Sequence, residues 1–396
     1  MRAKRSAIAG ACAAVALAAG LHGAGPAARQ AVGPAAVVTA RNTIDLARPG
    51  ETMVLTAADI RRVLKVEDLR TVHVLDGAAG PEVLAQPVDV NDDGVFDELV
   101  FQADFGPGQS RTFTLTVGAR QVYTRDQFRA YGRFVRERRD DFAWENDRVA
   151  HRMYGAALET WAQEPLTSST VDVWVKRTRK LVQNDWYMVD DYHSDHGEGA
   201  DLYSAGRSRG CGGNGVWAGG KLYPSANFRN SRVLANGPLR VMFELSYVGW
   251  DVAGQHVSEV KRITLDAGQN LSRFESHYSA LPGRVAQHAA GIKKVAQAAV
   301  APNPSQGWIR TWEPIKGNGS FGCAVVMDPA LVSEVAEADG NVLAVARVPE
   351  GGPAVYYAGF GWDRSGDFAG VADWDRYVEQ FARRLASPVV TALAAR

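Results

Sequence analysis

Leu239-Arg240-Val241-Met242-Phe243-Glu244-Leu245-Ser246-Tyr247 puts Leu, Val, Phe, Leu and Tyr on one face of an extended chain and Arg, Met, Glu and Ser on the other. Side chains of a strand alternate between faces, so this period of two predicts a strand with one face on a core. Two more candidates follow, Val257 to Leu265 and Leu271 to Ser279, with Asp266-Ala267-Gly268-Gln269-Asn270 as the turn between them. Together they predict an antiparallel meander. On its third strand Arg273, Glu275 and His277 share the face opposite Phe274 and Tyr278, which places charge on the non-core side.

Outward from this meander the chain stays β-rich. Later strands are expected at Phe321 to Met327, Val342 to Val348 and Ala354 to Phe360, then one helix over Asp373 to Leu385. In that helix Trp374, Val378, Phe381 and Leu385 recur at helical spacing, Asp comes early and Arg late, and Pro388 follows. Upstream, short runs at Thr52 to Thr56, Val72 to Leu75, Val83 to Val88, Glu98 to Ala103 and Thr112 to Val117 are cut by turn residues. Such spacing predicts a small β-sandwich. A charge-dense stretch, Gln121 to Asp147, separates it from the rest. The expected class is therefore mainly β. A small N-terminal β-sandwich over residues 36–120 precedes a large antiparallel β-sandwich over 121–396, a supersandwich of the galactose-mutarotase-like kind with a C-terminal helix.

The chain opens on Met1-Arg2-Ala3-Lys4-Arg5, an apolar run to Leu21 and small residues near Ala24 to Ala28. This is the order of a cleavable signal peptide over residues 1–30, and it predicts a secreted or periplasmic protein. Lys plus Arg and Asp plus Glu each total 44, so bulk charge favours neither nucleic acid nor an anionic membrane as a partner. Cys211 and Cys323 remain after processing, either as one disulfide or as two separate thiols.

Asp89, Asn91, Asp93 and Asp97 stand at positions 1, 3, 5 and 9 of a loop with Gly94 at 6, the first half of a calcium loop. Position 12 is Val100, so Glu98 is the expected completing ligand; the alternative is an acidic turn. Calcium is the candidate cofactor at this loop, and no motif points to an organic one. There is no Gly-x-Ser-x-Gly elbow, no phosphate-binding Gly-x-x-x-x-Gly-Lys and no Cys-x-x-Cys.

The densest polar segment runs from Asp185 to Gly215, and its composition predicts a long functional loop on a β scaffold. Three chemistries suit it. For β-elimination, His193 or His196 is the base, Tyr192 or Tyr187 the acid, and Arg207 or Arg209 the group that neutralises a substrate carboxylate. Hydrolysis would use a carboxylate pair from Asp190, Asp191, Asp195, Glu198 and Asp201. A metal on His193, Asp195 or His196 is the third. Upstream, Trp144-Glu145-Asn146-Asp147-Arg148 reads as a sugar-recognition patch or a charged turn, and Trp217 offers another stacking face.

Trp144-Glu145-Asn146-Asp147-Arg148, Tyr192-His193-Ser194-Asp195-His196-Gly197-Glu198-Gly199 and Ser208-Arg209-Gly210-Cys211-Gly212-Gly213 resemble the hallmarks of a secreted bacterial family catalogued as domain of unknown function 4861. The resemblance covers nearly all of the mature chain. It implies a component of polysaccharide-degrading systems, whose members sometimes occur beside or fused to hydrolases of unsaturated uronyl sugars. The implied partner is a uronate-containing plant or algal glycan. The resemblance carries no catalytic roles, so the expected function, a lyase in preference to a hydrolase or a glycan-binding module, rests on the residue chemistry above.

Overall fold

A computed structural model describes residues 35–163, 166–189 and 191–396. The expected signal peptide and Asp190 lie outside them. The meander forms with longer strands than the apolar run suggested: Arg240–Val252, Gln255–Asp266 and Leu271–Leu281 lie side by side, antiparallel. They are the centre of an eight-stranded sheet that continues through Ala354–Trp362, Ser320–Val326, Trp308–Pro314 and Ala299–Asn303, with Asn230–Asn236 at the other edge.

Val241, Phe243, Leu245 and Tyr247 enter the main core as their alternation requires. Met242, on the face read as polar, is also buried, in a second apolar cluster with Val88, Val100 and Ala267. Both faces of the sheet are therefore covered here, and the residues before 120 supply part of the second cover.

Two five-stranded sheets form the opposing layer. One contains Cys211–Ala218, Gln287–Lys293, Asn341–Arg347 and Val332–Ala338, with Lys221–Tyr223 at its edge. The other runs Gly199–Ala200, Asp172–Lys176, Ala150–Met153, Asp141–Asn146 and Ala130–Val135. A parallel bridge between Val171 and Gly210 joins them. Phe142, Trp144, Val173 and Val175 from one and Ala290 and Ile292 from the other pack with Phe243, Phe274 and Phe360 of the large sheet. Cys211 and Cys323 form a disulfide that ties the two layers across 112 residues of sequence.

The N-terminal part makes two small sheets around its own apolar cluster. One of them is extended by Val390–Ala395, which pairs with Ala35–Arg41. Nothing in the local pattern of the C-terminus announced that strand. The helix spans Val371–Ala386 and buries Trp374, Val378 and Ala382 against the outer side of the large sheet. Among the described residues no helix is long and apolar enough to cross a membrane.

Candidate active site

Strand alternation builds this site. In Asp141–Asn146, Ala150–Met153 and Asp172–Lys176, Phe142, Trp144, Met153, Val173 and Val175 point into the sandwich. Asp141, Glu145, Arg152, Asp172, Trp174 and Lys176 are left on the outer face, which water does not reach. The Gln183–Val189 helix and the segment to Tyr203 cover it, and Tyr187 and Tyr192 pack on Trp174 at ring distances of 4.8 and 4.9 Å.

Under this cover one arginine gathers three acids. Arg152 lies 2.8 Å from Asp172, 2.8 Å from Asp201 and 3.5 Å from Asp141. Tyr154 donates its hydroxyl to Asp172 (2.7 Å) and Tyr187 to Asp141 (3.3 Å). Burial pushes the Asp141 carboxyl up to about 7, against the pull of Arg152 and Arg138. Burial likewise raises Asp201 well above the carboxylate range despite Arg152. Perturbed acids beside a cation make this cluster a candidate functional site.

The cluster meets solvent at His193, whose side chain is 63% exposed. Its Nδ1 lies 3.2 Å from the Asp201 carbonyl oxygen and 3.5 Å from the Asp201 carboxylate. The carbonyl oxygen can only accept, so Nδ1 carries the proton and leaves the lone pair on Nε2. The His193 ring sits 4.6 Å from that of Tyr192, and the Tyr192 oxygen accepts from Arg138 Nε at 2.9 Å.

Arg138 and Arg139 both lie over the Trp161 ring, at 4.7 and 5.0 Å. The turn that delivers Asp141 holds Arg139 and Asp140 at φ 53° and 65°, two successive non-glycine residues in the left-handed region. Such a turn costs on the order of 1–3 kcal/mol per residue and persists only where surrounding contacts hold it. Gly155 accommodates it, since a Cβ there would fall 1.9 Å from the Asp140 oxygen.

Of the residues expected in the loop, the structure thus brings together His193, Tyr192, Tyr187 and Asp201. It sets the others apart. His196 pairs with Asp191 at 2.8 Å on the surface and Glu198 with Lys180 at 2.7 Å. Asp195 binds Arg177 and accepts the amides of Gly197 and Gly199, which fixes the loop's own shape. Arg207 is exposed. The expectation of one long loop fails after Ser208, because Cys211–Ala218 is a core strand and Arg209 is buried inside the sandwich.

The expected sugar-recognition patch is corrected in the same way. Trp144 is in the core and stacks on His151. Glu145 pairs with buried Lys176 at 2.7 Å and accepts the amides of Val182 and Gln183 at the helix start. Asn146 bonds the carbonyls of Asp266 and Gln269, Asp147 accepts the Gly268 amide, and Arg148 reaches Asn270 at 3.4 Å. Trp217 is buried and donates to Glu334. Trp144, Glu145, Asn146 and Trp217 are thus buried with partners of their own, while Asp147 and Arg148 stay partly exposed and Asp147 lines a cavity of about 990 Å³ with Arg179 and Asn184.

The acidic loop of the N-terminal part closes on itself. Asp89 accepts amides of Asn91, Asp92 and Gly94, Asn91 that of Asp93, Asp93 that of Val95, and Asp97 that of Val90. Glu98 turns away to Arg240 at 3.3 Å. Among the described residues no group of three or more His, Cys, Asp or Glu is arranged to hold a metal ion.

Asp141, Arg152, Asp172 and Tyr154 escaped the sequence reading of the site. For Asp141 a partial signal was present: in Asp141-Phe142-Ala143-Trp144-Glu145 the two acids share one face of a strand and Phe142 and Trp144 the other.

The solved structure of an alpha-mannosidase from Enterococcus faecalis V583 superposes with a TM-score of 0.51 at 10% identity, over 91% of this chain and 46% of that one. A protein in the Glycosyl Hydrolase Family 38 from Enterococcus faecalis gives 0.52 at 11% identity, over 91% and 48%. The chain spans about half the length of these structures, and the likeness is one of fold. "Uncharacterized protein P7" of Formosa agariphila is 32% identical over 368 residues, 89% of this chain and 92% of the relative. Residues 40–390 match the family described as "Domain of unknown function (DUF4861)", and the chain belongs to that family.

Proposed function

We propose that the chain is an exported carbohydrate-active enzyme that cleaves uronate-containing poly- or oligosaccharides, of pectic or ulvan type, by β-elimination. One observation carries the reading: a solvent-open histidine seated on a buried aspartate, beside a tyrosine whose oxygen is held by an arginine. The fold shared with the two Enterococcus structures, described as an alpha-mannosidase and a Glycosyl Hydrolase Family 38 protein, supports a glycan as the ligand. The N-terminal signal supports export.

In this reading His193 Nε2 takes the proton from the carbon that bears the substrate carboxylate. The freed electron pair forms the carbon–carbon double bond, and the glycosidic carbon–oxygen bond breaks. Tyr192, whose oxygen already accepts from Arg138, donates its own proton to the departing oxygen and recovers it from solvent. The Asp201 carbonyl oxygen, 3.2 Å from Nδ1, keeps His193 in the Nδ1–H tautomer and accepts from the imidazolium that forms.

Purified protein should give a new ultraviolet absorbance from unsaturated product on pectic or ulvan-type oligosaccharides and none on neutral glycans. His193→Ala should lower the rate by about 10²–10⁴-fold, the range of a lost general base, while His196→Ala stays close to the parent. New reducing ends without the absorbance would mean hydrolysis. Binding without products would mean a glycan-binding module. Full activity in His193→Ala would remove the assignment.

A further inference from the structure

The charged face of the meander is covered near the start of its third strand. Thr264 stands opposite Arg273, and Arg273 opposite Tyr357, so the three form a row across the outer side of the large sheet. Glu51, from the N-terminal strand Arg48–Thr56, and Phe381 and Arg384, from the C-terminal helix, line a cavity of about 230 Å³ together with this row. Arg240 and Asp266 complete its polar wall, and Leu385 adds an apolar one.

Most polar groups here are used on one another. Arg240 holds Asp266 through two hydrogen bonds, at 2.7 and 2.9 Å, and Glu51 accepts from Arg48 at 3.0 Å. Arg273 pairs with Glu275. Two groups stand apart. Thr264 is 7% exposed, and its hydroxyl has no partner in the protein. The Arg384 side chain is 11% exposed, its Nε is buried without a partner, and its ion pair with Glu51 is long, at 3.7 Å.

Buried polar groups in folded proteins are nearly all hydrogen-bonded. Two that are not, on different elements lining the same cavity, point to a group that the cavity receives. The chemistry of that group is narrow. Arg384 can only donate, Thr264 can donate and accept, and the carboxylates of Glu51 and Asp266 keep acceptor lone pairs beyond those their arginines take. A sugar hydroxyl both donates and accepts, and so suits a wall that mixes guanidinium, hydroxyl and carboxylate. Phe381 and Leu385 supply the apolar side that a sugar ring also needs. The volume equals the liquid share of roughly eight waters, which is room for one ring and not for a chain.

We propose that this cavity holds one sugar ring of the glycan through its hydroxyls, with Thr264 and Arg384 as the donors that now lack partners. The ligand class rests on the carbohydrate reading above. The place does not depend on His193, since that site lies on the outer face of the opposing layer and this one on the outer side of the large sheet.

The test is thermal unfolding of the whole protein with glucose, galactose and rhamnose as separate probes, and with galacturonate and sulfate as anionic arms. A bound sugar at about a hundred times its dissociation constant should raise the midpoint by about 3 °C. Thr264→Val removes the unpartnered hydroxyl and keeps the branched shape, so the free variant should melt no lower than its parent while the sugar-induced rise is lost. Any general cosolute effect on the surface is common to both proteins and cancels in the difference. Arg384→Gln should weaken the rise as well, and His193→Ala should retain it. Equal rises in parent and Thr264→Val with all three sugars, a free Thr264→Val protein that melts lower than its parent, or a difference seen only with galacturonate or sulfate would each overturn the proposal. A rise lost in His193→Ala and kept in Thr264→Val would also overturn it, and would leave the catalytic reading standing.

Discussion

Replacing Arg152 with Met tests whether the acid cluster is held by one cation. The side chain keeps an unbranched apolar stem and loses the guanidinium, leaving Asp172, Asp201 and Asp141 without the group now at 2.8, 2.8 and 3.5 Å. Removing one partner of a buried ion network costs about 3–5 kcal/mol, because the other charges stay buried. Roughly 360 residues unfolding at about 2.1 cal/mol/K each give an unfolding entropy near 0.76 kcal/mol/K, so about 4 kcal/mol lowers the midpoint by about 5 °C. The loss must also depend on pH. Without Arg152 the acids bind protons more tightly, and at about pH 5 protonation removes most of the penalty that is fully present at about pH 8. Calorimetry of parent and variant at those two pH values measures both effects. A loss below about 1 °C, or the same loss at both pH values, would refute the claim that Arg152 compensates buried carboxylates.

Two further outcomes follow from the same geometry. Asp141 is protonated in the folded state up to about pH 7, whereas an unfolded carboxylate has lost its proton near pH 4. The folded state therefore holds the extra proton between these limits, and the stability it contributes is lost as pH rises through 7. Asp141→Asn should abolish that decline, read as a smaller drop in midpoint between pH 5 and 8 than the parent shows. The Cys211–Cys323 bridge closes a 112-residue separation, for which loop entropy gives about 4–5 kcal/mol. The Cys211→Ser, Cys323→Ser double variant should melt about 6 °C lower, and reductant should have no further effect on it.

The meander was legible because Val241, Phe243, Leu245 and Tyr247 alternate with residues that mostly face away from the main core. The strand at Val390–Ala395 was not, because its pairing with Ala35–Arg41 is fixed by the ends of the chain meeting in space and leaves no local pattern. His193 and Tyr192 stood out through a loop-like composition around them. Arg152 and Asp172 did not, since each is one charged residue in a short apolar strand and its meaning lies in a partner 20 residues away. The misreading of Glu145 and Asn146 has the same root. A polar residue in a strand signals solvent only if nothing covers that face, and here the segment from 177 to 203 does. Whether a face is covered depends on tertiary packing, which alternation alone does not encode.

Apolar side chains of similar volume in place of a buried ion pair are neutral or stabilising in many proteins, and the apolar belt of Phe243, Phe274 and Phe360 already joins the layers. Charge retained at that cost points to use rather than support. A second buried pair, Glu259 and Lys261 at 3.6 Å, lies between the layers. The cluster around Arg152 opens at a histidine, which suits proton transfer. Lys261→Met should lower the melting temperature, as Arg152→Met does, because each leaves a buried carboxylate without its nearest cation. A Lys261→Met variant that melts above its parent would show that Glu259 does not depend on that cation.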